Sequence, residues 1–191
     1  PDEIVVVGGH IDSWDVGQGA HDDAGGCVAG WEVIRMIKKL GLKPKRTIRC
    51  VMWTNEENGG RGNKAYRDMH IDELDKHVLA IESDGGVFAP EGFGFTGSEA
   101  AKKIAMEIHE LMTFIKADNL TDGGRAADTA VLNDAGIPVM SLRVDNSKYF
   151  WYHHTDADTF DKVDFQEFNK CVAAMTIMSF VVADLDKPLP R

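Results

Sequence analysis

Apolar residues recur along this chain at two spacings. Short unbroken apolar runs at Ile4–Gly9, Thr47–Thr54, Val78–Ser83 and Pro138–Val144 are rich in β-branched residues and end in glycine, acids or polar residues, which predicts buried strands. Between them, apolar residues return every three or four positions. Ala24–Leu40 predicts a helix with Val28, Trp31, Ile34 and Ile37 on its inner stripe, ended by Gly41 and Pro44. Gly60–His70 predicts a short helix. Ser98 caps a helix running to Lys116, with Ile104, Ile108, Leu111 and Ile115 inside. Ala126–Ala135 predicts a short helix stopped by Gly136. Asp164 and Glu167 form a capping box for a last helix whose stripe is Phe168, Val172, Met175 and Val182. Strands alternating with helices predict an α/β sandwich around a largely parallel sheet, in which functional groups gather at the carboxyl ends of the strands.

The bulk composition narrows the field. A chain of 191 residues, 43% hydrophobic and 27% charged, suits one globular domain. Its formal net charge of −10 argues against nucleic acid or an anionic membrane as partner. No apolar run approaches the roughly 20 residues of a membrane span. Cys27, Cys50 and Cys171 lack CxxC spacing, so free buried thiols are expected. The triplet Asn119-Leu120-Thr121 is a glycosylation sequon that leans toward a secretory compartment. No secretion signal is present, and the chain enters a strand almost at once, which predicts the C-terminal part of a longer precursor.

Acids and histidines fall where these strands end. His10 follows the first strand, with Asp12 two residues on; alone it fits a hydrogen-bonded loop residue as well as a metal ligand, and Asp12 offers a carboxylate for its other ring nitrogen. The stretch from Gly19 to Gly26 packs glycines around Asp22 and Asp23, which suits a helix cap and a metal-bridging carboxylate equally. Glu56 and Glu57 follow the second strand. Adjacent acids repel unless cations are near, and one can bind metal while the other takes a proton from water. Asp84 ends VLAIES and reads as a turn aspartate or a ligand. His153 and His154 are trailed by Asp156, Asp158 and Asp161, which suit a ligand and its support. Each residue has an ordinary explanation alone. Their shared placement at strand ends favours a two-metal hydrolytic centre.

The segments GGHIDSWDVGQGAHDDAGG, WTNEENGG, IESDGG and HHTDADTFDKVD, with GLKPKRTIR, GFTGS and SFVVADLD, resemble the co-catalytic di-zinc family of aminopeptidases and glutamate carboxypeptidases along essentially the whole chain. The resemblance implies a three-layer α/β sandwich with a mostly parallel mixed sheet, forming a catalytic domain over residues 1–191, and two Zn2+ per chain. It assigns His10 and Asp84 to one zinc, Glu57 and His154 to the other, and Asp22 to both, with a cis peptide between Asp22 and Asp23. It implies Glu56 as general base, Asp12 as the support of His10, His153 as a catalytic group facing the oxyanion, and Asp128 as a supporting acid. The implied activity is hydrolysis of small peptides, most simply dipeptides with unblocked termini, in a secreted or lysosomal protein, with a homodimer as a family trait. Arg61, Arg125 and Arg143 are candidate carboxylate binders, and Asp145, Asn146 and Tyr149 candidate pocket residues. Three other readings compete: a single-zinc glutaminyl cyclase-like enzyme, against which a count of two metals would speak; a receptor-like binding domain, against which the intact ligand set argues; and a metal-free domain with an acidic rim, which does not explain the ordered set.

Overall fold

The first strand, β1 (Ile4–His10), is buried along its whole length, and its alternation divides the core. Val5 and Val7 face one apolar cluster while Ile4 and Val6 face another on the opposite side of the sheet. The computed structural model, which describes residues 2–191, arranges six strands in the order β2-β1-β3-β6-β4-β5. They are β1, β2 (Thr47–Trp53), β3 (His77–Glu82), β4 (Pro90–Thr96), β5 (Asn119–Asp122) and β6 (Val139–Val144). Strands β2, β1, β3 and β6 run parallel; β4 pairs antiparallel with β6 and parallel with β5. The sheet is therefore mixed and mostly parallel.

Helices cover both faces. On the side of Val5 and Val7 lie α1 (Gly25–Lys39), α3 (Glu99–His109) and α6 (Phe165–Asp184). On the side of Ile4 and Val6 lie α2 (Arg61–Met69) and α4 (Ala130–Asp134). A single turn, α5 (Tyr149–Tyr152), follows β6. Ser98 caps α3 by accepting the Ala101 amide, and Asp164 caps α6 by accepting the amides of Gln166 and Glu167.

Three expectations are corrected. The inner face of α1 is Cys27, Ala29, Gly30, Val33 and Ile37, while Val28 and Trp31 are exposed. The helix packs so close to β1 that a Cβ on Gly30 would lie 2.9 Å from the Gly8 Cα, so the side with small residues must face the sheet. The same holds for α3, where Ala101, Ala105, Ile108 and Met112 are buried and Leu111 is exposed; beyond His109 the chain tightens into a 3-10 turn, Glu110–Ile115. Finally, α4 starts at Ala130 rather than residue 126. The Asp128 and Thr129 amides bond instead to the buried Glu82 carboxylate, at 3.2 and 2.7 Å. The apolar pattern does not predict strands β4 and β5. The segment PEGFGFT carries proline and two glycines that dilute any strand pattern, yet Phe93 and Phe95 are core residues.

Candidate metal centre

Parallel strands β1, β2, β3 and β6 end at the same edge, and the acids and histidines that follow them meet there. His10, the last residue of β1, is buried. Its Nδ1 donates to the Asp12 carbonyl at 2.7 Å, which leaves Nε2 to face Asp22 Oδ1 and Asp84 Oδ1, each at 3.3 Å. Burial alone would depress the His10 imidazolium. The hydrogen-bonding carboxylates of Asp22 and Asp84 and the charges of Asp23 and Asp84 outweigh it and push its pKa up.

Asp22 turns its other oxygen the opposite way. Oδ2 lies 3.4 Å from His154 Nε2 and 3.6 Å from His153 Nε2, and His154 Nε2 is 2.9 Å from Glu57 Oε2. Asp22 thus belongs to two ligand groups at once. His10, Asp22 and Asp84 form one, and Asp22, His153 and His154 the other, with donor atoms in each within 4.8 Å of one another. Geometry admits His153 to the second group beside Glu57. Asn55 and His154, which flank this half, both hold a left-handed backbone at φ 63 and φ 60, a conformation that costs a non-glycine residue about 1 kcal/mol or more.

The Asp22–Asp23 pair divides the two roles that its sequence left open. Asp22 faces the centre. Asp23, fully buried, binds the first turn of α1 through the Gly26 amide at 3.0 Å and holds the His10 amide at 2.9 Å. A Cβ on Gly9 would lie 2.0 Å from the Asp23 carboxylate, so only glycine leaves room for it. The peptide between the two aspartates is cis.

Asp12 supports the centre differently from expectation. Its carbonyl, not its carboxylate, holds His10; the carboxylate sits 3.9 Å from Nδ1 and accepts the amides of Glu56 and Glu57, at 3.1 and 3.3 Å. One short loop therefore orients a histidine and the acid pair together. The Glu56 side chain lines an open cleft of about 250 Å³ with Asn63, Lys64 and Ala127. Burial, with the nearby charges of Asp84, Glu57 and Asp22, pushes its pKa above the ordinary carboxylate range against the pull of His10.

Asp128 lies farther back. It is buried, accepts from Asn63 Nδ2 at 3.1 Å, and makes no hydrogen bond to the ligand side chains. Burial and the neighbouring Glu82 push its pKa up to about 8, and burial with the charge of Asp84 pushes Glu82 up to about 7. Glu82 was not singled out from sequence; as the last polar letter of a strand, it carries no local signal of the loop amides it collects. Among the candidate pocket residues, the Tyr149 phenol is raised by burial and then by the charges of Asp22, Asp84 and Asp23, so it faces the acids of the centre. Asp145 caps a turn through the Ser147 amide, and Asn146 is exposed. Arg125 is paired with Asp134 at 2.5 Å, and Arg143 donates to the Gly123 carbonyl at 2.5 Å. Arg61 is exposed at the start of α2.

The profile of Peptidase family M28 matches residues 1–178. The chain belongs to peptidase family M28. It is 44% identical to carboxypeptidase Q of Mus musculus and 46% identical to that of Xenopus laevis, each over 100% of this chain and 41% of the relative. The chain thus spans about two-fifths of these curated relatives. Among solved structures it superposes on a peptidase M28 precursor from Shewanella amazonensis with a TM-score of 0.89 and 37% identity, covering 100% of this chain and 44% of the other. A zinc aminopeptidase from Bacillus subtilis shares the fold, with a TM-score of 0.79 at 21% identity over 97% of this chain and 47% of the other.

The residues of this M28 chain fit a divalent metal on their own chemistry. Asp22 Oδ2 and Glu57 Oε1 are buried without a hydrogen-bond partner, an arrangement that is costly unless a cation completes it. Imidazole nitrogens and carboxylate oxygens together suit zinc. Among the described residues no helix is long and apolar enough to cross a membrane.

Proposed function

We propose that this chain forms the catalytic domain of a zinc-dependent exopeptidase that cleaves small peptides, dipeptides with free termini first among them. The observation that carries this reading is Asp22. Its two oxygens serve two separate groups of histidine and carboxylate donors, with Glu56 beside them and free of either. In this reading His10, Asp84 and Asp22 would hold one zinc ion, and Glu57, His154 and Asp22 would hold a second. When bound, the metals supply Lewis acidity that polarises a carbonyl and acidifies water.

The chain's own groups carry the proton work. Glu56 takes a proton from the water that attacks the scissile carbonyl carbon, then delivers it to the amide nitrogen as the C–N bond breaks. Asp12 keeps Glu56 and Glu57 in register with His10 through the two amides it accepts. His153, half-buried on the open side, is the donor proposed for the oxygen that gains charge. The exposed Asn119 of the sequon supports a secreted or lysosomal setting.

The test is hydrolysis of a panel of unblocked dipeptides before chelation, after it, and after zinc is restored, with bound zinc counted by equilibrium dialysis. The reading expects turnover that is lost and regained, with two zinc ions per chain. One zinc per chain would favour a glutaminyl cyclase-like enzyme, and no zinc with no turnover would favour a binding domain.

A further inference from the structure

The two metal-facing histidines are held by different means. His10 is almost fully buried, and the hydrogen bond from Nδ1 to the Asp12 carbonyl at 2.7 Å fixes both its tautomer and its rotation. Such a bond is the usual way a protein orients a metal-binding imidazole. His154 has no counterpart. Among the described residues nothing accepts a hydrogen bond from its Nδ1, its side chain is a third exposed, and its backbone sits at φ 60. Its Nε2 nevertheless points between Glu57, at 2.9 Å, and Asp22, at 3.4 Å.

Aromatic rings enclose it instead. The Trp14 indole stacks on one face, with centroids 4.4 Å apart and planes 10° apart. His153 stacks on the other at 3.6 Å and 19°. Two parallel neighbours fix the plane of the imidazole and so the line along which Nε2 is presented. Trp14 is 41% exposed, so burial in the core does not account for its placement. It sits two residues beyond Asp12, on the segment that already orients His10, Glu56 and Glu57.

We propose that Trp14 is a positioning residue for the metal ligand His154, its stacked indole doing the work that the Asp12 carbonyl does for His10. The proposal rests on the two-zinc reading and deepens it. It implies that the two metals depend on different parts of the chain, and that only the metal held by Glu57 and His154 depends on Trp14. Phenylalanine at the same place keeps a stackable ring, whereas alanine removes it.

The experiment is a zinc titration of the metal-free chain against a competing chromophoric chelator, for the unaltered protein, Trp14→Ala and Trp14→Phe, with circular dichroism confirming that each is folded. The expected result is two zinc affinities in the unaltered protein. In Trp14→Ala one of them weakens by about 10-fold to 100-fold, the loss typical when the support of a metal histidine is removed, while the other holds. Trp14→Phe restores most of the loss. Unchanged affinities in Trp14→Ala, equal losses at both sites, or no recovery with phenylalanine would overturn the proposal. A single zinc in the unaltered protein that Trp14→Ala weakens would overturn the two-zinc reading and keep the Trp14 assignment. A single zinc indifferent to Trp14, or none, would overturn both.

Discussion

Asp158 holds Asp22 from behind. Its Oδ2 accepts the Asp22 amide at 3.1 Å and its Oδ1 accepts the His21 amide at 2.8 Å, joining segments 136 residues apart in sequence. Asp158→Ala would leave two buried amides without acceptors, at a cost of about 1–3 kcal/mol each. We expect a lower melting temperature and weaker zinc binding together, with Asp158→Asn in between because it keeps one carbonyl oxygen. Thermal denaturation with and without zinc checks this, and a melting curve for Asp158→Ala matching the unaltered protein would contradict it.

Glu56 is separable from the metal ligands. Glu56→Gln preserves the shape of the side chain and removes its capacity to take a proton. Turnover should fall by about 10²-fold to 10⁴-fold, the usual contribution of a positioned base, while zinc content by dialysis stays the same. Near-normal turnover would remove Glu56 from the proton path.

The contact between α1 and β1 predicts an effect opposite to helix propensity. A residue larger than glycine usually steadies a helix interior by up to about 1 kcal/mol. At Gly30 the added Cβ would meet the Gly8 Cα at 2.9 Å and the Gly8 nitrogen at 3.3 Å, backbone atoms that cannot step aside. Gly30→Val should therefore cost about 1–3 kcal/mol, the usual penalty of overpacking, read as a lower urea midpoint.

A pH effect arises far from the metal centre. The buried His77 donates through Nδ1 to the Glu73 carbonyl at 2.9 Å, so its Nε2 accepts from the Tyr66 hydroxyl at 2.8 Å. The Tyr66 oxygen in turn accepts from Arg49 at 2.8 Å. The bond from the Tyr66 hydroxyl to Nε2 requires neutral His77, because a protonated Nε2 has no lone pair to accept it. Burial holds its pKa down, and the charge of Arg49 adds to that against the opposing Glu73 carbonyl. The unfolded chain takes up a proton below about pH 6.5 that the folded chain refuses, so this contribution is present above that pH and lost as pH falls through it. Urea midpoints of the metal-free protein on either side of about pH 6.5 should fall more for the unaltered chain than for His77→Gln. Equal falls would clear His77 of any role.

Much of the centre was legible because the four parallel strands are mostly apolar, so the acids and histidines at or soon after their ends stand out, as His10, Glu56, Glu57 and Asp84 do, while His154 lies farther past β6, beyond Asp145 and the short α5 turn. Less legible was everything decided by contact between distant segments. Val28 and Trp31 look like core residues by hydropathy, yet helix α1 turns its small side because Gly8 and Gly30 touch. Strand β4 hides behind its proline and glycines. Glu82 and Asp23 carry no outward sign that they collect amides from elsewhere, and Asp12 serves His10 through its backbone, an atom that every residue shares.

The residues that converge on the centre come from segments that an unfolded chain keeps far apart, from His10 to His154. A zinc ion held between them has nothing comparable to bind once the fold opens, so occupancy and folding are thermodynamically linked. Zinc at about 100 times its Kd adds about 2.7 kcal/mol to the stability of a one-site protein, a sizeable share of the 5–15 kcal/mol typical of a whole domain. Zinc supply would then bear on how long the molecule stays folded as well as on how fast it works.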